Sequence, residues 1–175
     1  VLEINLNAIS HNLNFYKSKL NPETKLMVMV KAFGYGNGGF EIAKLLSHHK
    51  VDYLGVAFAD EGIALRTAGI DLPIMVMNPE STSFTSIIQH QLEPEIYSFK
   101  GLTAFLKLAE QKKLKKFPIH IKLDTGMHRL GFETTDELVK KISLSNQKVE
   151  CKYYLALLGV KQAQFRPIQA AIALT

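Results

Sequence analysis

The sequence predicts an α/β protein in which short, buried, parallel strands alternate with amphipathic helices. Short apolar runs recur along the chain, and each is followed by a segment with apolar residues at helical spacing. This strand-then-helix pattern repeats about every 20 to 30 residues, as it does in parallel β/α architectures. With 175 residues, 47% of them hydrophobic, the chain can bury one sizeable core. A doubly wound sheet and a partial (β/α)8 barrel both fit this periodicity.

The strands are predicted from runs that are apolar on both faces, because strands of a parallel sheet are covered on both sides. We expect them at residues 26–30, 51–58, 74–77, 95–97, 117–123 and near 149–155. A first helix is predicted at 8–20, and others follow the strands at 40–46, 61–68, 84–88, 102–108 and 138–142. The result is an opening helix, five β/α units and the start of a sixth strand.

Composition argues against several classes of function. The net charge is +5, but the densest basic cluster has no interleaved aromatic residues and is typical of a solvated helix end, so no nucleic-acid partner is expected. No apolar run approaches the roughly 20 residues that span a bilayer, so no membrane partner is expected either. Cys151 is the only cysteine, which fits a reducing compartment, and the first residues do not resemble a signal peptide. The basic cluster consists of Lys112, Lys113, Lys115 and Lys116. Together, these features of composition predict a cytoplasmic protein.

The first candidate catalytic segment directly follows the first predicted strand and reads VKAFGYGNGG at residues 30–39. Lys31 is expected at the carboxyl end of an apolar strand, where barrel enzymes place their catalytic groups. An amine that rises from an apolar floor is a better nucleophile, because desolvation favours its neutral form. The glycines allow a tight turn and a close approach to a ligand, but their spacing does not match a dinucleotide-binding loop. A solvated lysine before a flexible loop remains the alternative.

The second segment follows the strand at 117–123 and places Lys122, Asp124 and Arg129 near one strand end. The planar guanidinium of Arg129 suits a carboxylate, a phosphate or a phenolate. A structural ion pair between Asp124 and Arg129 is the alternative. His120 and His128 are present, but no third ligand is evident, so no metal site is predicted.

These two segments carry a resemblance to a known family. VKAFGYGNG at 30–38 resembles the cofactor-lysine signature of alanine racemases, and HIKLDTGMHRLGF at 120–132 resembles their second signature. The opening LEINL at 2–6, with HNL at 11–13, is similar to the start of the same family. The resemblance covers roughly residues 1–147.

The resemblance implies a (β/α)8 TIM-type barrel, of which about the first five to six β/α units are present. Residues 1–175 are then expected to form a partial N-terminal barrel that binds pyridoxal 5'-phosphate, without the family's C-terminal β domain. The implied activity is that of a pyridoxal-phosphate-dependent isomerase, which interconverts L- and D-alanine for peptidoglycan synthesis. The chain is expected to be only part of that enzyme and to be inactive alone.

The resemblance also assigns roles to individual residues. Lys31 is expected to form the internal aldimine and to act as one acid/base group. Tyr35 is expected to reach the cofactor phosphate, and Arg129 to donate to the phenolic oxygen of the ring. Lys122 matches a lysine that is often carbamylated in this family. No metal is implied.

Racemisation needs acid/base groups on both faces of the reacting carbon, and Lys31 can serve only one. By the resemblance, the other group is a tyrosine of the partner subunit in a homodimer, in a region that this chain does not contain. Two alternatives remain open. One is another barrel-type pyridoxal-phosphate racemase, and the other is a cofactor-binding barrel or fragment without catalytic activity.

Overall fold

A computed structural model describes residues 3–124, 126–132, 136–144, 148–156 and 170–173. Its elements fall into two compact units, Val1–Val76 with Ile168–Thr175, and Met77–Pro167. A 3-10 turn, Ser81–Ser83, precedes α5. In chain order, the helices and strands are α1 (Leu6–Lys17), β1 (Leu26–Met29), α2 (Lys31–Tyr35), α3 (Gly39–His48), β2 (Tyr53–Val56), α4 (Ala59–Thr67), β3 (Ile74–Val76), α5 (Phe84–Gln89), β4 (Glu93–Ile96), α6 (Phe99–Gln111), β5 (Phe117–Leu123), α7 (Asp136–Ser143), β6 (Val149–Ala156) and β7 (Ala170–Ala173).

The first unit contains a parallel sheet in which β1 lies between β2 and β7, and β3 pairs with the other side of β2. Met27 is in register with Tyr53, and Leu54 with Ile74. Every residue of β1 and β2 is buried. This confirms the prediction of short parallel strands that are apolar on both faces. The pairing of β7 with β1 was not predicted from the sequence.

Helix α1 packs near α3 and begins earlier than the apolar spacing predicts. The side chain of Asn5 accepts hydrogen bonds from the N–H groups of Asn7 and Ala8, so the helix begins at Leu6 rather than at residue 8. Its buried contact is Leu13, and the Lys17 ammonium donates to the carbonyl of His49 at 2.6 Å. The helix ends at Lys17 rather than at residue 20.

The second unit contains a parallel sheet in which β5 lies between β4 and β6. Glu95 is in register with His120, and Phe117 with Val149. Its core includes Phe84 and Phe105, whose rings meet edge to face at 5.1 Å. The predicted order of strand and helix is therefore correct in this unit as well.

The polar features of the second unit differ from the predictions in one respect. Strand β4 begins at Glu93, two residues before the predicted start, and both of its glutamates are buried. The prediction followed apolar runs and therefore missed the charged first residue. The lysines at positions 112, 113, 115 and 116 are all exposed, as expected for a solvated helix end. Among the described residues, no helix has both the length and the apolar character needed to cross a membrane.

Candidate functional site

The floor of the first candidate site is the carboxyl end of β1. Val30 is buried and donates its N–H to the carbonyl of Gly55 at 2.8 Å, which continues the pairing with β2 beyond the last strand residue. Lys31 follows directly and is half-buried. Within the described part of the chain, its ammonium group forms no hydrogen bond and no ion pair. The amine is therefore available to a ligand at the strand end.

The backbone of α2 after Lys31 is a left-handed turn rather than a regular α-helix, which fits the predicted tight turn better than the flexible loop that was the alternative. The φ angles are 51° at Ala32, 55° at Phe33, 62° at Gly34 and 57° at Tyr35. A left-handed conformation costs about 1–2 kcal/mol for each residue other than glycine. Strain of this kind persists only where surrounding structure holds it, and it is concentrated at functional sites. The turn is thus a fixed element rather than a loose loop.

Contacts with the following helix explain why glycine occupies the middle of this turn. Gly34 is buried, and a Cβ atom there would lie 3.4 Å from Ile42 of α3, at a φ that favours glycine. Hydrogen bonds close the turn, from the Gly34 N–H to the Val30 carbonyl at 3.0 Å and from the Gly38 N–H to the Phe33 carbonyl at 3.1 Å. Tyr35 projects from the turn with 37% of its surface exposed.

The second candidate site is a loop that leaves β5 and returns to its end. The N–H of Asp124 donates to the carbonyl of Phe132 at 3.0 Å, and the N–H of Phe132 donates to the carbonyl of Lys122 at 2.9 Å. Gly131 lies against this closure, because a Cβ there would be 2.5 Å from the backbone nitrogen of Asp124. Any larger residue at this position would force the loop open. The loop presents Arg129 as an exposed side chain.

The inside of this loop is held by the carboxylate of Asp124. Its Oδ1 accepts from the N–H groups of Gly126 and His128, each at 3.0 Å. These backbone hydrogen bonds, the one from Gly126 first, lower the pKa of Asp124 below its ordinary value of 3.8. His128 Nδ1 lies 3.5 Å from Asp124 Oδ2. Asp124 therefore orders the loop rather than forming the ion pair with Arg129 that the sequence suggested as an alternative.

We expect Asp124→Asn to lower the free energy of unfolding only at pH values where Asp124 is ionised in the unmodified protein. A lowered carboxyl pKa contributes stability above the unfolded value, and that stability is lost as pH falls through the folded pKa. The urea midpoint of the variant should therefore lie below that of the unmodified protein at about pH 7, and the two should converge as the pH falls below the ordinary carboxyl value of 3.8. A difference that does not change with pH would contradict this role of Asp124.

Two buried polar pairs, one of them the Lys122–Glu95 salt bridge, join β4 to β5 below the loop. The Lys122 ammonium donates to Glu95 Oε2 at 3.0 Å, and these side chains are 4% and 0% exposed. His120 Nε2 lies 2.8 Å from Glu93 Oε2. Alternate residues of a strand point to the same face, so each strand contributes two members of one polar cluster. The pairing explains how charged groups are tolerated in a buried strand.

Burial and charge act in opposite directions on Glu95. Desolvation raises its pKa above the ordinary value of 4.5, while the positive charges of Lys122 and then Arg129 lower it. The Oε1 atom of Glu95 is buried and has no hydrogen-bond partner among the described residues. Lys122 therefore offsets part of the cost of burying the Glu95 carboxylate.

The structure places the predicted residues in two groups. Lys31 and Tyr35 belong to the first unit, and Lys122 and Arg129 belong to the second. The two histidines that a metal site would need have different surroundings, since His120 is buried and 82% of the His128 side chain is exposed.

Sequence reasoning missed three acidic residues. Glu61 binds the turn after Lys31, with Ala32 N–H donating to Glu61 Oε1 at 2.6 Å. Glu93 and Glu95 pair with β5. The alternation of the two glutamates in a strand facing His120 and Lys122 is a signal that could have revealed the pairs. Nothing in the sequence near Glu61 indicates its contact with a residue 29 positions away.

Comparison with known proteins gives consistent matches over most of the chain. The family model described as alanine racemase, N-terminal domain, matches residues 4–160. Alanine racemase 1 of Oceanobacillus iheyensis is 36% identical over 151 residues, which cover 85% of this chain and 40% of that protein. The chain thus spans about two fifths of the length of this curated relative.

Solved structures agree with the sequence matches. The alanine racemase of Clostridium difficile 630 superposes with a TM-score of 0.81 and 35% identity, covering 87% of this chain and 41% of that one. The alanine racemase of Bartonella henselae, solved with covalently bound pyridoxal phosphate, gives a TM-score of 0.77 at 29% identity, with 87% and 43% covered. These similarities confirm the predicted fold class, a partial (β/α)8 TIM-type barrel.

Proposed function

Because this chain belongs to the alanine racemase family through its N-terminal domain, we propose that it is the cofactor-binding part of an enzyme that interconverts L- and D-alanine. In this proposal, residues 1–175 form part of the N-terminal barrel of that enzyme. The product D-alanine is used for peptidoglycan synthesis. The enzyme acts in the cytoplasm and as a homodimer.

The observation that carries the proposal is the position of Lys31. Its amine stands at the carboxyl end of the buried strand β1, with no ion pair among the described residues and a strained turn directly after it. A lysine that only stabilised the fold would be expected to pair with a carboxylate or to extend from an ordinary flexible loop. An amine that no carboxylate engages is accessible to an aldehyde, with which it can condense.

Each residue that the resemblance assigns has, within its own unit, the chemistry that pyridoxal phosphate would require. The aldehyde of that cofactor requires an amine, which Lys31 supplies. Its phosphate and phenolic oxygens require hydrogen-bond donors, and the Tyr35 hydroxyl and the Arg129 guanidinium are both exposed donors. Arg129 forms no salt bridge within the described residues, so its donors are available to an anion.

When bound, pyridoxal phosphate withdraws electrons from the amino acid and allows the proton on Cα to leave. Lys31 holds or releases that proton on one face of the substrate. A second acid/base group must act on the opposite face, since a single amine cannot reach both. In this proposal it is a tyrosine of the partner subunit, and Arg129 binds near the substrate carboxylate.

Carbamylation of Lys122 stays a prediction from the resemblance, and the structure introduces a competing interaction. The reaction needs the lone pair of the amine, whereas Lys122 Nζ already donates to Glu95 Oε2 at 3.0 Å. Carbamylation would also place a new anion beside the buried Glu95 carboxylate. An intact mass raised by one carbon dioxide, and restored by acid, would establish the modification.

The proposed function is tested by trapping the cofactor and by following the reacting proton. The full-length protein, incubated with pyridoxal phosphate and reduced with borohydride, should carry one cofactor on the peptide that contains Lys31. With L-alanine in deuterium oxide, it should produce D-alanine that carries solvent deuterium at Cα. L-serine is the comparison substrate, and we expect slower turnover with it.

Two results would contradict the proposal. Cofactor trapped only on other lysines would remove the role of Lys31. Cofactor trapped on Lys31 without racemisation of any amino acid would instead favour a binding protein without catalytic activity.

A further inference from the structure

The carboxylate of Glu61 joins the two loops that follow β1 and β2. Its Oε1 accepts from the N–H of Ala32 at 2.6 Å. Its Oε2 accepts from the N–H groups of Ala57 at 2.6 Å and Phe58 at 3.1 Å. Ala32 directly follows Lys31, whereas Ala57 and Phe58 lead into α4. One side chain therefore fixes the backbone on both sides of this strand edge.

The parallel sheet explains why a residue of α4 can reach the turn after β1. Met29 is in register with Gly55, so the loops that follow the two strands emerge beside each other. Glu61 lies in the first turn of α4, where a negative charge is also favoured by the helix dipole. Glu61 is the third residue of α4, and its Oε2 accepts from the N–H of the N-cap residue Phe58, as the N3 side chain does in a capping box. Its other oxygen remains available for Ala32.

The turn after Lys31 needs a partner of this kind. The first N–H groups of any helical turn have no acceptor within that turn. Here the turn is also left-handed at Ala32, Phe33 and Tyr35, a conformation that these residues rarely adopt unaided. The bond from Ala32 to Glu61 holds the first residue of the strained run, one peptide unit from Lys31.

We propose that Glu61 is a positioning residue, which fixes the backbone directly after Lys31 and thereby aims the lysine amine at its ligand. This inference rests on the proposed function, because it assumes that Lys31 attaches to pyridoxal phosphate. The competing explanation is that Glu61 only caps α4. The two differ at Ala32, because a helix cap has no need of a hydrogen bond to the other loop.

The test compares Glu61→Gln with Asp60→Asn in the full-length protein. Glutamine has the shape of glutamate but one acceptor oxygen, so at least one loop would face an NH2 group instead of an acceptor. Asp60 is the matched control, because it is exposed, carries the same charge and lies in the same helix turn. Amide hydrogen exchange of residues 32–36 reports on the turn without cofactor. Borohydride trapping on Lys31 against cofactor concentration reports on the amine.

We expect Glu61→Gln to speed exchange in residues 32–36 and to weaken cofactor attachment roughly tenfold, as the loss of one charge-assisted hydrogen bond would. Asp60→Asn should change neither measurement. For turnover, kcat should fall more than KM rises, because the misplaced amine acts on the reacting proton. Circular dichroism and Tm check that both variants remain folded.

Two outcomes would overturn the proposal. If Glu61→Gln lowers Tm but leaves attachment and kcat unchanged, Glu61 is a helix cap. If both variants weaken attachment equally, the effect belongs to charge near α4 and not to the bond with Ala32. Absence of trapping in the unmodified protein would instead refute the proposed function, and the exchange measurement would still decide whether Glu61 fixes the turn.

Discussion

Replacing Lys31 with alanine should abolish both the covalent attachment of pyridoxal phosphate and the racemisation of alanine. The cofactor needs an amine at this position, and the described residues place no other lysine at the end of β1. Racemisation should fall to the uncatalysed background, since the same amine also serves as the acid/base group on one face. Borohydride trapping with peptide mapping and a coupled assay of D-alanine would measure the two losses.

Two further variants show that the effect is specific to the amine. Lys31→Arg keeps the positive charge but offers no nucleophile, so it should be as inactive as Lys31→Ala. Lys44→Ala removes an exposed lysine from α3 in the same unit and should keep full activity. Lys31 is half-buried, and its amine forms no ion pair with the described residues. Its loss should therefore change the free energy of unfolding by about 1 kcal/mol or less. Turnover in Lys31→Ala would refute the assignment.

Replacing Lys122 with methionine should cost about 3–5 kcal/mol in the free energy of unfolding at neutral pH. The variant leaves the Glu95 carboxylate buried without its counter-charge, and Glu95 Oε1 already has no partner among the described residues. Urea denaturation would measure the loss. Lys148→Met is the matched control, because its pair with Glu110 is exposed, and it should cost no more than about 1 kcal/mol.

The pH dependence and a double variant distinguish charge from packing. Burial raises the pKa of Glu95, and loss of Lys122 removes the main opposing influence. A carboxyl group with a raised folded pKa favours the folded state at low pH and loses that contribution as pH rises. The defect of Lys122→Met should therefore shrink as the solution is acidified. The double variant Lys122→Met with Glu95→Met should recover most of the stability, because it leaves no buried charge. A double variant no better than the single one would indicate a packing defect.

The sequence by itself determined the architecture and the main candidate residues. Hydrophobic runs and helical spacing predicted the order of strands and helices, because burial imposes these two periods on any chain. The lysine after β1 and the arginine after β5 could be identified since parallel β/α folds present strand ends to ligands. The family matches then confirmed the fold class.

Only the tertiary structure decided how the local chain around these residues is held. The glycines after Lys31 allow a tight turn or a flexible loop, and the structure has a left-handed turn bonded to Glu61, which lies 29 positions away. Hydropathy does not indicate that Glu93 and Glu95 are paired, yet both are buried and contact β5. Hydropathy assigns one value to each residue, but the cost of burying a carboxylate depends on which partner the fold brings beside it. The partners of Glu61 and Glu95 come from other strands and loops, so their roles became visible only once the strands were in register.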